Sequence, residues 1–189
     1  MSDDRSRTAL LLMDFQPGIV DRLDGGGVVE AAGRAAGVAR QRGVPVVFVR
    51  VAFRPGYPEV AHSNAAFAAA AGAGDTMTEA HPATQVHGAL APRPDEPVVT
   101  KRRVSAFSGS DLEVLLRGLD ARHLVLAGIS TSGVVLSTLR QAADLDFRLT
   151  VLANACGDPD AEVHRVLTHK VFPRQAVVTS TDDWAASLA

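Results

Sequence analysis

The run Thr8-Ala-Leu-Leu-Leu-Met-Asp14-Phe15 constrains the fold of this chain more than any other stretch. Its apolar residues are continuous where a half-exposed strand would alternate, so it reads as a strand covered on both faces. Such a strand belongs in a parallel sheet with helices packed above and below it. The rest of the chain agrees. Val28–Arg42 carries small and apolar residues at helical spacing and stops at Gly43, a C-capping residue. Val44–Phe53 (VPVVFVRVAF) is rich in β-branched residues and reads as a second strand. Pro97–Lys101, His123–Gly128, Phe147–Ala155 and Ala176–Ser180 read as further strands. Between them lie a helix capped by Ser110, one running from the turn after Gly128 to about Asp146, one over Asp160–Val171, and one near Asp182–Leu188. Repeated β-α units of this kind predict a three-layer α/β/α sandwich. Residues 54–97 interrupt the pattern with a proline-rich, irregular connection holding a short alanine-rich helix near Ala65–Ala71. A connection that long within one domain reads as a lid or a partner surface.

The 189 residues suffice for one domain with a sizeable core, and we take residues 1–189 as that domain. A net charge of −2 gives no electrostatic case for nucleic acid or an anionic membrane. No apolar run reaches bilayer-spanning length, and the polar start Met1–Arg7 does not read as a secretory signal. The only cysteine, Cys156, excludes an internal disulfide and fits a cytoplasmic setting.

In parallel sheets ligands bind beyond the carboxyl ends of the strands. Asp14, Arg50, Lys101, the Gly128–Ser132 turn and Cys156 each fall at or near the end of a different strand. Taken alone, Asp14 is as much a turn-former as an acid or base, and Lys101, before Arg102-Arg103, reads as a solvated face. Arg50 and Arg54 are candidates for bidentate carboxylate binding, and Phe53, Tyr57 and Phe107 for an apolar wall. Gly128-Ile-Ser-Thr-Ser-Gly-Val134 is a strand-to-helix turn, which points backbone N–H groups at whatever sits above it. Hydrolases place a nucleophile on such a turn, beside an oxyanion site. Ser130, Thr131 and Ser132 have no evident histidine base in the sequence, and no Gly-x-Ser-x-Gly elbow is present.

Leu-Leu-Met-Asp14-Phe-Gln16, Val-Val-Thr-Lys101-Arg-Arg-Val-Ser-Ala-Phe107 and Leu-Ala-Gly128-Ile-Ser-Thr131 together resemble the isochorismatase-like hydrolases, also called the cysteine hydrolase family. The resemblance runs from Ala9 to about Ala176. It implies a Rossmann-like α/β/α fold with a parallel six-stranded sheet, a homodimer or higher homo-oligomer, and no cofactor. It also implies an Asp-Lys-Cys triad, which falls here on Asp14, Lys101 and Val134, the valine standing at the cysteine position. A cis peptide is expected at Ile129–Ser130. Gln16, Arg50, Phe107, Ile129, Ser130, Thr131 and Gly133 are the residues expected to meet a small-molecule substrate. Nicotinamidase-type relatives bind a metal through an Asp-x-His-x-x-x-His-like stretch, but residues 50–62 hold a single histidine, His62, and no metal site is expected.

The isopropyl group of Val134 cannot attack a carbonyl, which closes the covalent route at that position. Isochorismatases within the family also lack the cysteine and protonate the methylene carbon of a vinyl ether. By that analogy Asp14 is the proton donor, while Lys101 orients the substrate and holds a carboxylate. The ammonium lowers the carboxyl pKa whereas burial against Phe15 and Phe107 raises it, and the balance is open in the sequence. Isochorismate itself is not expected, because Ser-Thr-Ser-Gly stands where those enzymes carry a Tyr-Ala-His-type turn. Three readings therefore stand. The first is an Asp/Lys acid-base hydrolase of a small carboxylated metabolite, the second an amidase using Cys156, whose ordinary reading is a small buried residue under the site, and the third a catalytically silent binding or oligomerisation module.

Overall fold

The computed structural model describes residues 7–23 and 26–188, so the polar start Met1–Ser6 lies outside the described residues. Strand β1 (Thr8–Met13) is buried at every position. Leu11 and Met13 enter one core and Leu10 and Leu12 the other, which is why its apolar run does not alternate. Strands β2 (Val46–Val51), β3 (Val98–Lys101), β4 (His123–Ile129), β5 (Arg148–Gly157) and β6 (Val177–Thr179) complete a parallel sheet. Its order is β3-β2-β1-β4-β5-β6.

Helix α1 (Pro17–Val20) follows β1 and starts on Pro17, whose missing N–H costs nothing in a first turn. Helix α2 (Gly26–Gln41) turns Ala31, Ala32, Ala35, Ala36 and Ala39 to one face of the sheet, and their small side chains allow close approach. Helices α3 (Ala65–Gly72), α4 (Leu112–Gly118), α5 (Leu136–Asp144), α6 (Ala161–Val166) and α7 (Thr181–Ser187) follow in order. Trp184 of α7 joins the core of α2, whereas Leu112, Leu116, Leu139 and Ala142 of α4 and α5 fill the opposite face. Those are the three layers. Among the described residues no helix is long and apolar enough to cross a membrane.

Several boundaries differ from expectation, each for a local reason. β1 stops at Met13 because Asp14 turns to φ 60°, a left-handed conformation that Asp tolerates better than most residues. α6 is capped by Asp160, whose side chain accepts from the N–H groups of Glu162 and Val163, and it continues as a wider π turn over Leu167–Val171. Residues 54–97 are less irregular than expected. They hold α3, capped by Asn64, short 3-10 turns at Pro82–Thr84 and Gly88–Leu90, and a parallel bridge from Phe53 to Thr78. β5 runs on to Gly157 through an irregular register against β4, so Cys156 lies within the strand and not beyond it.

The strand order reverses between β1 and β4, which opens a crevice at their carboxyl ends. Gly128 makes that junction tight. A Cβ there would stand 2.8 Å from the Met13 carbonyl oxygen and 3.3 Å from Val134 Cγ1. Gly128→Ala is accordingly expected to destabilise the fold by about 1–3 kcal/mol through overpacking. Urea unfolding measures this, and an unchanged midpoint would mean the junction has slack.

Candidate functional site

Asp14 is the first residue beyond β1. Its N–H donates to the Val49 carbonyl (2.8 Å) and its own carbonyl accepts from the Gln16 N–H (2.8 Å), which holds the sharp turn. Lys101 ends β3, two strands away, level with Val51 of β2. Its ammonium reaches under the crevice to within 2.9 Å of Asp14 Oδ2 and also donates to the Arg103 carbonyl (2.9 Å). Both side chains are buried, 2% exposed for the lysine and 6% for the aspartate. Asp14 Oδ1 has no hydrogen-bond partner. Burial raises the Asp14 pKa above the ordinary carboxylate value, and the attraction and hydrogen bond of Lys101 only partly offset it. The balance left open by the sequence thus falls on the side of a proton held at higher pH.

The turn after β4 begins with a cis peptide at Ile129–Ser130, as the resemblance implied. The first helical turn, Thr131–Val135, is a π turn that leads into α5. Ser130 Oγ accepts from the Gly133 N–H (3.0 Å), and Asp158 Oδ2 accepts from the Ser132 N–H (2.7 Å). Two donors of the turn are therefore committed to protein acceptors. The Thr131 hydroxyl lies 2.8 Å from His164 Nδ1, a pairing across 33 residues that the sequence did not reveal. Burial lowers the His164 pKa, which Asp158 partly counters. The threonine is wholly buried and lies outside the cleft, so this pair braces the turn and does not make a nucleophile.

Above these elements is a cleft of about 270 Å³, and Asp14, Lys101, Ile129, Ser130, Gly133 and Val134 all line it. Its walls are residues the sequence reading did not single out: Ile19, Arg22 and Leu23 from α1 and the turn after it, Phe67 from α3, Val104, and Pro159. They come from segments far apart in the chain, so only tertiary packing joins them. Phe67 packs on Phe53 (ring centroids 5.3 Å apart), which in turn meets Tyr57 (5.6 Å). Phe53 and Tyr57 thus back the wall without lining it.

Other expected site residues do not reach the cleft. Val51 lines it, so Arg50, one step earlier on a strand of period two, faces away. Arg50 instead donates to Thr100 Oγ1 (3.1 Å), Gln85 Oε1 (2.9 Å) and the Glu79 carbonyl (3.2 Å). Arg54 pairs with Glu59 at 2.5 Å. The Gln16 amide donates to the carbonyls of Val51 and Thr84 (3.0 Å each) and accepts from the Val51 N–H (2.8 Å), stitching backbone together. Phe107 lies in the core beside Phe147, because the adjacent Ala106 N–H is held by Thr138 of α5 (2.9 Å). Cys156 sits opposite Gly128 in the ladder, in the same core as Val134 and Met13, and not among the cleft residues. Burial pushes its thiol up to about 12, far from the thiolate a nucleophile requires. Residues 50–62 do not make a metal set, since Glu59 is taken by Arg54 and Arg102 and His62 stands without a second histidine. Among the described residues, no group of three His, Cys, Asp or Glu side chains is placed to hold an ion.

The sequence comparison covers all of these elements, the reversed strand order, the buried Asp-Lys pair at its crevice and the turn with the cis peptide. The model of the isochorismatase domain matches residues 8–183. The chain belongs to the isochorismatase family. This family member is 34% identical over 180 residues to the isochorismatase family protein YecD of Escherichia coli O157:H7, with 93% of each chain covered. It is 31% identical over 183 residues to maleamate amidohydrolase of Pseudomonas putida, covering 94% of this chain and 84% of the relative. Among solved structures, an isochorismatase family protein from Burkholderia thailandensis superimposes with a TM-score of 0.83 at 29% identity, over 97% and 96% of the two chains. The family is one of hydrolases, with amidohydrolases among the relatives of this chain.

Proposed function

We propose that this isochorismatase-family protein hydrolyses a small carboxylated metabolite by proton transfer from Asp14, without a covalent enzyme intermediate. The observation that carries this reading is the buried Asp14–Lys101 pair, which lines a cleft where the nucleophile position holds Val134. Asp14 Oδ2 is occupied by the lysine and Oδ1 is not, so Oδ1 is the atom from which a proton can leave. On a vinyl ether the step is balanced as follows. The proton moves to the methylene carbon, water adds to the resulting oxocarbenium carbon and gives a proton back to the Asp14 carboxylate, and the hemiketal releases an alcohol and a ketone. As Asp14 gives up its proton, the carboxylate that forms is already paired with Lys101, a charge stabilised where it develops. Similarity to a maleamate amidohydrolase supports a small acid as substrate, since maleamate carries one carboxylate beside its amide.

The test is a panel of vinyl ethers, amides and esters of small carboxylic acids, followed by mass spectrometry of both product and enzyme. Turnover is expected with no acyl adduct on the protein. The donor must be protonated, and the Asp14 pKa is raised. The rate should therefore be full below that pKa and fall as pH rises through it. A rate that climbs over the same range would assign Asp14 the role of base, and an acyl adduct would overturn the non-covalent reading. A panel without any turnover would favour a binding module of the same fold.

A further inference from the structure

The cations around the cleft are almost all committed to other protein groups. Arg102 pairs with Glu59 and Glu79, Arg54 with Glu59, and the Arg103 guanidinium donates to the carbonyls of Arg102 and Glu59. Arg50 is held by Thr100 and Gln85, and Lys101 by Asp14 and the Arg103 carbonyl. Among the described residues Arg22 is the one cation that lines the cleft and has no side-chain partner. It stands on the exposed side of the cleft, just past α1. Apart from Arg22, the buried Asp14–Lys101 pair and Ser130, whose Oγ already accepts from the Gly133 N–H, the side chains lining the cleft are apolar, among them Ile19, Leu23, Phe67, Val104 and Val134.

The cleft thus combines one exposed cation, one buried charged pair and a mostly apolar lining. We propose that Arg22 binds the substrate carboxylate, and that the substrate is a monocarboxylate whose body is a single ring or a short branched chain. The inference rests on the reading of this cleft as the hydrolytic site, and it moves the carboxylate away from Lys101. A second anion on Lys101 would share its one ammonium with Asp14 and would crowd a like charge against the carboxylate that Asp14 becomes on giving up its proton. Arg22 instead offers a forked, unpaired guanidinium on the exposed side, suited to two parallel hydrogen bonds to a carboxylate. A volume of about 270 Å³ is at the small end for ligand sites, in keeping with so short a body. With Val134 on the floor, the body meets an isopropyl group where a thiol would otherwise stand.

Binding of phenylacetate and its uncharged isostere phenylacetamide, measured by titration calorimetry at low salt, tests the assignment without requiring turnover. Phenylacetate is expected to bind the wild-type protein about 10-fold tighter or more, and added salt should narrow the gap. Arg22→Ala should erase the preference while leaving phenylacetamide affinity unchanged, and Arg22→Lys should keep part of it. The double variant Asp14→Asn/Lys101→Met, which removes both buried charges together, should keep the preference. The proposal is overturned if wild type shows no preference, if the preference survives Arg22→Ala, or if it is lost in the double variant. It is equally overturned if neither compound binds at about 10 mM, a concentration above the Kd of even weak specific ligands. A preference that depends on Arg22 in a protein that hydrolyses nothing would uphold the carboxylate site and remove the hydrolytic reading, so the two failures are distinguishable.

Discussion

Asp14→Asn is expected to lower kcat/KM by about 10²–10⁴-fold on whatever substrate the panel reveals, with little change in KM. Asparagine keeps the shape of the side chain and the left-handed turn, but it has no acidic proton to give. The substitution also strands Lys101, whose ammonium is buried with one remaining acceptor, the Arg103 carbonyl. Removing one partner of a buried pair costs roughly 3–5 kcal/mol, so the single variant should unfold at distinctly lower urea. Catalysis and stability separate in the double variant Asp14→Asn/Lys101→Met. With both charges gone, stability should return toward wild type while the rate stays lost. Wild-type turnover in the single variant would remove Asp14 from the chemistry. A rate restored together with stability would show that the aspartate serves only to hold the fold.

Val134→Cys is expected to create a thiol that iodoacetamide alkylates at neutral pH at least about 10³-fold faster than anything in the wild-type protein. The site is prepared for it. Position 134 lines the cleft with Lys101, in the first turn of the helical segment leading into α5, where cation and helix dipole both favour a thiolate. The native thiol serves as an internal control, since Cys156 lies in the core with its pKa pushed up to about 12. Peptide mapping should find the label at residue 134 alone. With amide substrates the variant should also accumulate an acyl adduct that the parent never shows. Rapid labelling of Cys156 in the wild type would contradict its burial. An inert thiol in the variant would mean that the side chain at position 134 is closed off from the cleft.

The layout of the sheet was legible because burial on both faces leaves a direct mark, as in the unbroken apolar run of β1. The floor of the cleft was legible too, since Asp14, Lys101 and the Gly128 turn sit at strand ends, where chain order translates into position. Side-chain direction was harder. Arg50 ends up on the wrong side of β2 by a single residue of strand phase, and Phe107 follows a neighbouring N–H into the core. Cys156 is the small buried residue its ordinary reading expects, but the sequence places it beyond β5, which runs past its expected end through an irregular register that no local pattern announces. The walls were least accessible of all. Ile19, Arg22, Phe67 and Pro159 lie on three separate connections, and His164 meets Thr131 from a helix that follows a different strand.

The Gln16 amide, which looked like a substrate group, joins Val51 on β2 to Thr84 in the long connection, and Arg50 holds Glu79 and Gln85 of the same stretch. Residues 79–85 are thereby moored to the sheet. Helix α3, upstream of that mooring, has no buried residue of its own and meets the cleft through Phe67. The Phe67 wall and the Asp14–Lys101 floor of the cleft therefore have separate foundations. Replacements on α3 are expected to change the wall at Phe67 while Asp14 and Lys101 stay where the strands put them. In a family that shares one scaffold, this is a route by which lineages can diverge in diet while keeping the same teeth.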